Sequence, residues 1–228
     1  MMTITTFQTP FLKSNMYLLS KNGHGMIIDP YSGADFCTRV KELTPEIDLI
    51  LLTHEHYDHI SGTNAFRAQF HSRVLCGETC GRRIQNASDN FSHYFNAYVS
   101  LQEKETVPEA LLPTEDFTTF ADETFTGRLT LFWQGHRLEL CETPGHSPGS
   151  VCILVDGESL FSGDSLLPGG KAILRFPGGS RRQYTEKTLP YLWTLPSETT
   201  VYPGHDGPFR LGDHPAMKHN TIERGENL

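Results

Sequence analysis

The chain has 228 residues and a formal net charge of −8, with 37% apolar and 20% charged residues. That length supports one large domain with a substantial core rather than two. No apolar stretch approaches the roughly 18–20 residues needed to span a bilayer. Residues 89–123 hold eight acids against one base, Lys104, and the short pair Arg181-Arg182 does not make a broad basic face, so nucleic acid is not an expected partner.

The first residues alternate as strands do, over Thr3–Phe7, Met16–Ser20 and Met26–Asp29, with Asn22-Gly23 as a hairpin turn. A helix is expected over Asp35–Leu43, an apolar strand over Asp48–Thr53 and a second helix over Ile60–Phe70. A short strand, Arg73–Cys76, and a helix, Glu78–Gln85, follow. Residues 86–128 read as irregular, acidic and aromatic (Phe91, Tyr94, Phe95, Tyr98), either a lid or a plain surface insertion. Strand patterning returns at Leu129–Trp133, Arg137–Thr143, Ser150–Val155 and Ser159–Gly163. A helix interrupted at Pro190 is expected over Gln183–Leu195, then a strand, Thr199–Tyr202, and a terminal helix, Asp213–Arg224. This order suggests an α/β architecture of two mixed sheets with helices outside, in four layers.

Five scattered cysteines (Cys37, Cys76, Cys80, Cys141, Cys152) form no Cys-x-x-Cys pair and read as buried reduced thiols. The N-terminus lacks the basic region and apolar core of a signal peptide. Both features lead to an expectation of a cytoplasmic protein.

The chemistry is concentrated at strand ends. Thr53-His-Glu-His-Tyr-Asp-His59 follows an apolar strand and puts three histidines and an aspartate within six residues. Imidazole nitrogens and carboxylate oxygens are ligands for zinc and similar divalent metals. Pro144-Gly145-His146, Gly163-Asp164-Ser165 and Pro203-Gly204-His205 each place one more histidine or aspartate beside a glycine at the end of a strand. The other histidines (His24, His71, His93, His136, His214, His219) lack such a context and are expected to play ordinary core or surface roles, His93 standing closest to the aromatic segment. Glu55 and Tyr57 receive no chemistry.

Four segments in this order carry a resemblance: Thr-His-Glu-His-Tyr-Asp-His, Thr-Pro-Gly-His-Ser-Pro-Gly-Ser, Leu-Phe-Ser-Gly-Asp-Ser-Leu and Val-Tyr-Pro-Gly-His-Asp-Gly-Pro, spread over residues 53–208. The chain resembles the metallo-β-lactamase-fold superfamily, and most of all its glyoxalase II-type hydrolases (hydroxyacylglutathione hydrolase-like). The resemblance implies a single domain with a four-layer αββα sandwich and a two-metal cleft. It implies that His54, His56 and His146 bind a first metal, that Asp58, His59 and His205 bind a second, and that Asp164 bridges both. The cofactor expected is therefore a pair of divalent cations, zinc by default, with iron or manganese accepted by the same donors.

Such a pair would lower the pKa of a shared water to near neutrality. A metal-bridging hydroxide would then attack the carbonyl of a small thioester, with Asp58 orienting the nucleophile and passing a proton to the leaving group. A lactonase or other small-ester hydrolase, and a persulfide dioxygenase using a single iron, are the alternatives. A β-lactamase, a nuclease and a non-catalytic binding module are weaker readings.

Two departures from glyoxalase II bear on the substrate. Only 23 residues follow His205, too few for the helical C-terminal domain that helps to bind glutathione in that family. Where short relatives often carry a Gly-Arg stretch before Pro-Gly-Gly-Ser, this chain reads Gly-Gly-Lys171-Ala-Ile-Leu-Arg175-Phe-Pro-Gly-Gly-Ser180. Lys171 or Arg175 could contact a substrate carboxylate, with solvated side chains the default expectation. The partner is thus a small molecule, with no nucleic acid or membrane. Oligomeric state is not legible.

Overall fold

A computed structural model describes residues 1–9, 12–33, 35–102, 112, 115–170 and 172–218. It divides into two compact units, Met1–Phe125 and Thr126–Leu228.

The first unit is a six-stranded mixed sheet in the order β1-β2-β3-β4-β5-β6. The strands are β1 (Thr3–Gln8), β2 (Asn15–Lys21), β3 (His24–Ile28), β4 (Glu46–Leu51), β5 (Arg73–Gly77) and β6 (Glu123–Phe125). β1, β2 and β3 pair antiparallel, whereas β3 through β6 run parallel. The central strands supply the core residues Leu18, Ile27, Ile50 and Val74, packed with Val40 from α1 (Phe36–Leu43) and Phe66 from the helix that follows the metal motif.

The helix expected over Ile60–Phe70 is present as α3 (Thr63–Phe70), preceded by a separate helical turn, α2 (Tyr57–Ile60). The break has a steric cause. Gly62 donates its N–H to the Pro30 carbonyl at 2.8 Å, and a Cβ there would lie 2.6 Å from the Tyr31 carbonyl oxygen. Only glycine lets the α2–α3 corner seat on the chain leaving β3.

The stretch expected to be irregular contains more order than its composition suggests. After α4 (Glu78–Arg83), a short 3₁₀ turn (Ser92–Tyr94) leads into α5 (Phe95–Gln102), and β6 closes the sheet. Phe95 and Val99 pack with Tyr31 and Tyr57. Asn90 is fully buried and donates to the carbonyls of Ile84 and Phe117 while accepting from Ser92 N–H. Local side-chain-to-backbone bonding of this kind orders a segment that has little apolar periodicity. Residues 103–111 and 113–114 of the expected insertion lie outside the described residues.

The second unit is a six-stranded mixed sheet in the order β12-β11-β10-β9-β8-β7. Its strands are β7 (Arg128–Trp133), β8 (His136–Glu142), β9 (Val151–Val155), β10 (Ser159–Gly163), β11 (Thr200–Pro203) and β12 (Phe209–Arg210). β10 and β11 are parallel and the other pairs antiparallel. Every residue of β9 is buried, which explains its unbroken apolar run. The helix expected over Gln183–Leu195 runs as α6 (Arg181–Gln183), a π-helical turn (Tyr184–Thr188) and α7 (Leu189–Leu192). Pro190, which lacks an N–H, follows the π-helical turn directly, so the continuous helical run lacks one ladder donor at that point. The terminal helix expected over Asp213–Arg224 starts at residue 215, after a separate 3₁₀ turn, Leu211–Asp213, and residues 219–228, including His219, lie outside the described residues, as does Lys171.

The cysteines are free thiols, four of them buried. Burial pushes Cys152 up to about 12 and raises Cys37, Cys80 and Cys141, which keeps them protonated and unreactive at neutral pH. Among the described residues, no helix is long and apolar enough to cross a membrane.

His214 is a polar anchor of the second unit. Its Nε2–H donates to the Leu167 carbonyl at 3.0 Å, while Nδ1 accepts from Ala216 N–H at 3.2 Å. Protonation of Nδ1 would break the second bond, and burial already lowers the pKa from the usual histidine value. Because the folded pKa lies below the unfolded one, the stability contributed by neutral His214 is fully present above about pH 6.5 and is lost as the pH falls through the folded pKa. We expect the urea-midpoint gap between metal-free wild type and His214→Gln to narrow from about pH 8 to about pH 5.5. A constant gap would show that His214 is not the titrating anchor.

Candidate metal centre

In the first unit the candidate ligands lie where parallel strands end, the usual place for a site in such a sheet. β3 ends at Ile28 and β4 at Leu51, and Asp29 N–H donates to the Leu51 carbonyl at 3.0 Å. Asp29 is buried and left-handed (φ 54°), a conformation that aspartate tolerates better than most residues. Its carboxylate accepts Thr53 N–H at 2.7 Å and Thr53 Oγ1–H at 2.5 Å. The same Oδ2 lies 3.2 Å from His59 Nδ1, and Thr53 Oγ1 lies 3.0 Å from His54 Nδ1.

These bonds fix two tautomers. A carboxylate only accepts, so His59 Nδ1 carries the proton. The Thr53 hydroxyl proton is committed to Asp29, so Thr53 Oγ1 accepts from His54 Nδ1–H. Both imidazoles therefore keep their lone pair on Nε2. Donor atoms of Asp29, His54 and His59 lie within 4.8 Å of one another.

Asp58 lies beside them in the first turn of α2. Ser14 Oγ donates to Asp58 Oδ2 at 2.7 Å, and His59 Nε2 lies 3.4 Å from the same oxygen. His56 is buried, with the Phe91 ring edge-on at 4.9 Å. Phe91 itself is held left-handed (φ 67°), so the segment expected to be a lid or plain insertion reaches a candidate ligand at this point. Glu55, to which no chemistry was assigned, is fully buried and bound by Arg83 Nε at 2.6 Å. Arg83 also reaches Asp89, and thus ties the motif to the α4 region. Tyr57 stacks edge-on against Phe95 and Phe117, a packing role.

In the second unit, β8, β10 and β11 all point their carboxyl ends the same way, so His146, Asp164 and His205 fall at one sheet edge. Gly204 N–H donates to the Gly163 carbonyl at 2.8 Å. Asp164 Oδ2 is 3.3 Å from His205 Nε2 and 3.5 Å from His146 Nε2. One carboxylate oxygen between two imidazole Nε2 atoms suits a shared cation. His146 Nδ1–H donates to the Ile173 carbonyl at 2.7 Å, which leaves this third lone pair on Nε2 as well.

The His146 turn is clamped by the π-helical turn: Tyr184 hydroxyl donates to the Ser165 carbonyl and Thr188 hydroxyl to the Pro144 carbonyl. Gly145 has φ 151°, and a Cβ there would meet Tyr184 at 2.6–2.9 Å. The glycine is what lets Tyr184 close on the turn.

The residues present suit a divalent metal. Three buried imidazoles are held with the lone pair on Nε2 by outer partners of the kind that orient metal-bound histidines. Three of the other described histidines pair with carboxylates. His24 shares a partly exposed cluster with Asp48 and Glu46, and its hydrogen bond to Asp48 raises its pKa. His93 pairs with Asp116 and His136 with Asp156.

The model of the metallo-β-lactamase superfamily matches residues 9–205. The chain belongs to that superfamily. It is 32% identical over 198 residues to a protein of Bacillus subtilis (strain 168) named "Probable metallo-hydrolase YqgX", with 85% of each chain covered. It is 28% identical over 193 residues to a hydroxyacylglutathione hydrolase of Psychromonas ingrahamii, covering 82% of this chain but 58% of that relative. The matched region is thus little more than half of that longer protein. Among solved structures, the BLEG-1 B3 metallo-β-lactamase superimposes with a TM-score of 0.77 at 25% identity, covering 96% of this chain and 99% of that one. The two mixed sheets with helices are the α/β fold expected from the sequence.

Four supporting groups in this superfamily member escaped the sequence reading. Asp29 ends an apolar strand, the same signal that marked His146 and Asp164, and was available. Ser14, Arg83 and the Ile173 carbonyl reach their partners across 44, 28 and 27 residues and leave no local pattern.

Asp29 yields a direct prediction. Asp29→Asn keeps the left-handed backbone but turns one acceptor into a donor, facing either Thr53 N–H or His59 Nδ1–H. We expect metal affinity to fall roughly 10–100-fold, as for other outer partners of ligating histidines. Competition against a chromophoric chelator measures it, and an unchanged affinity would remove Asp29 from this role.

Proposed function

We propose that this chain is a binuclear metal-dependent hydrolase of a small thioester. The observation that carries the reading is the locking of His54, His59 and His146 as buried Nε2 donors, next to carboxylates suited to share the charge. On this reading His54, His56 and His146 would hold one cation, Asp58, His59 and His205 the other, and Asp164 both. Zinc is the default, and nitrogen and oxygen donors without thiolate also take iron or manganese.

When bound, such a pair supplies a hydroxide at neutral pH and polarises a carbonyl. The rest is the work of the chain's own residues. The histidines and Asp164 fix the donor positions. Ser14 holds the Asp58 carboxylate, which can take and return a proton at Oδ2. A thiolate leaving group needs little protonation, so a thioester suits a site whose acid–base equipment is one carboxylate. A cytoplasmic location, a single-domain organisation and a small-molecule partner belong to the same proposal.

The deciding experiment is the metal content of the purified protein, paired with hydrolysis of S-D-lactoylglutathione and a panel of other thioesters, lactones and a β-lactam. Two metals per chain with efficient thioester turnover support the reading. Preferred turnover of lactones or the β-lactam would reassign the substrate while leaving the metal site intact. A single iron with persulfide oxidation would overturn it.

A further inference from the structure

Another group of metal-type donors lies at the opposite end of the first sheet. The motif Thr53–His59 follows the carboxyl end of β4, whereas His24 opens β3 and Glu46 opens β4. At about 3.3 Å per residue, the run from Asp48 to Thr53 spans roughly 16 Å, so the two places share no side chain. His24 Nδ1 lies 2.9 Å from Asp48 Oδ1 and 3.4 Å from Glu46 Oε2. One donor atom from each of the three residues lies within 4.8 Å of the other two.

The backbone builds this group. β3 and β4 run parallel with His24 opposite Glu46, and the register shifts between Gly25, opposite Ile47, and Met26, opposite Leu49. Asp48 is the extra residue of that bulge. A bulge re-aims a side chain, and this one brings Asp48 to the same imidazole that Glu46 already faces. Thr44 Oγ1 donates to the Gly23 carbonyl at 2.8 Å, which holds the β2–β3 turn against the start of β4.

Spacing and charge favour a cation over a plain ion pair. Zinc takes imidazole nitrogen and carboxylate oxygen at about 2.0–2.2 Å, so neighbouring donors around it stand roughly 2.9–3.5 Å apart. Both distances at His24 Nδ1 fall in that range. His93 and His136 each meet one carboxylate, whereas two converge on His24 and outweigh its single positive charge. Glu46 and Asp48 also line a cleft of about 520 Å³ with Lys41, Ile47, Phe70 and Arg73, which leaves room for water to complete a coordination shell. Arg73 is itself paired with Glu123. The Asp48 hydrogen bond raises the His24 pKa, and a cation at Nδ1 would take the place of that proton.

We propose that His24, Glu46 and Asp48 bind one divalent transition-metal cation of the zinc type, which clamps the β2–β3 hairpin to β4. Imidazole selects zinc, nickel or copper over magnesium or calcium. The proposal is independent of the thioester reading and departs from the ordinary surface role expected for His24.

Dialysis of the metal-loaded full chain against about 10 μM free zinc, followed by zinc and protein analysis, tests it; wild type should hold about one zinc per chain more than His24→Gln, whatever the other centre contains. Asp48→Asn should lose the same zinc. His136→Gln, whose histidine faces one carboxylate, should keep it. The same dialysis against magnesium should show no difference between wild type and His24→Gln. Anomalous scattering at the zinc edge from wild-type crystals should place an ion about 2.0–2.2 Å from His24 Nδ1. Equal zinc in wild type and His24→Gln, a difference seen with magnesium but not zinc, or no anomalous peak between these three side chains overturns the site.

Discussion

Asp58→Asn is expected to lower thioester turnover by roughly 10²–10⁴-fold, the range for loss of a positioned acid–base group. The substitution conserves shape, and the amide oxygen can still accept the Ser14 hydroxyl that now reaches Oδ2 at 2.7 Å. What it removes is the negative charge beside His59 Nε2 and the ability to carry a proton. Ligation and proton transfer can be separated by the leaving group. An oxygen ester departs as a basic alkoxide and needs the proton more than a thiolate does. The loss should therefore be larger for an oxygen ester than for its thioester. Metal content must be measured on the same samples. Near-native turnover with a full complement of metal would eliminate the role of Asp58, and an equal loss for both leaving groups would reduce it to ligation. Ser14→Ala should act in the same direction but by no more than roughly 10–150-fold, because a single hydrogen bond to a charged group is worth about 1.5–3 kcal/mol.

The second large effect concerns stability. Arg83→Met is expected to destabilise the metal-free protein by roughly 3–5 kcal/mol, since it strands a buried charge rather than deleting a surface pair. Glu55 is fully buried and its side chain meets Arg83 Nε at 2.6 Å, while the guanidinium remains partly exposed. At about 2–4 °C per kcal/mol for a chain of this size, the melting temperature should fall by about 10 °C. The double variant Glu55→Gln/Arg83→Met should recover much of the loss, because no unpaired charge is then left inside. Thermal denaturation followed by circular dichroism tests both. If the single variant melts within a degree or two of wild type, or the double is no better than the single, Glu55 does not depend on Arg83 for its charge. The pair matters to function because Glu55 sits between His54 and His56. Its anchor is therefore an anchor for both rings.

The sequence by itself determined the strand ends. β4, β8, β10 and β11 are short strands with apolar residues at their buried positions and glycine or a polar residue after them, the pattern that burial on a pleated sheet requires. The ligand candidates were legible because metal donors cannot be buried cheaply without a purpose, so His54, His59, His146 and Asp164 stood out against their apolar neighbours. The α2–α3 break was not legible. Its cause is the carbonyl of Tyr31 against Gly62, a contact between segments 31 residues apart, and helical periodicity continues across it. The order in residues 86–102 was missed for a related reason: it rests on Asn90 bonding carbonyls at Ile84 and Phe117, not on apolar spacing. Only the tertiary structure decided which nitrogen of His54, His59 and His146 faces outward. That choice belongs to Asp29, Thr53 and a backbone carbonyl at Ile173, and a tautomer is set by whichever atom lies 3 Å away, wherever in the chain it comes from.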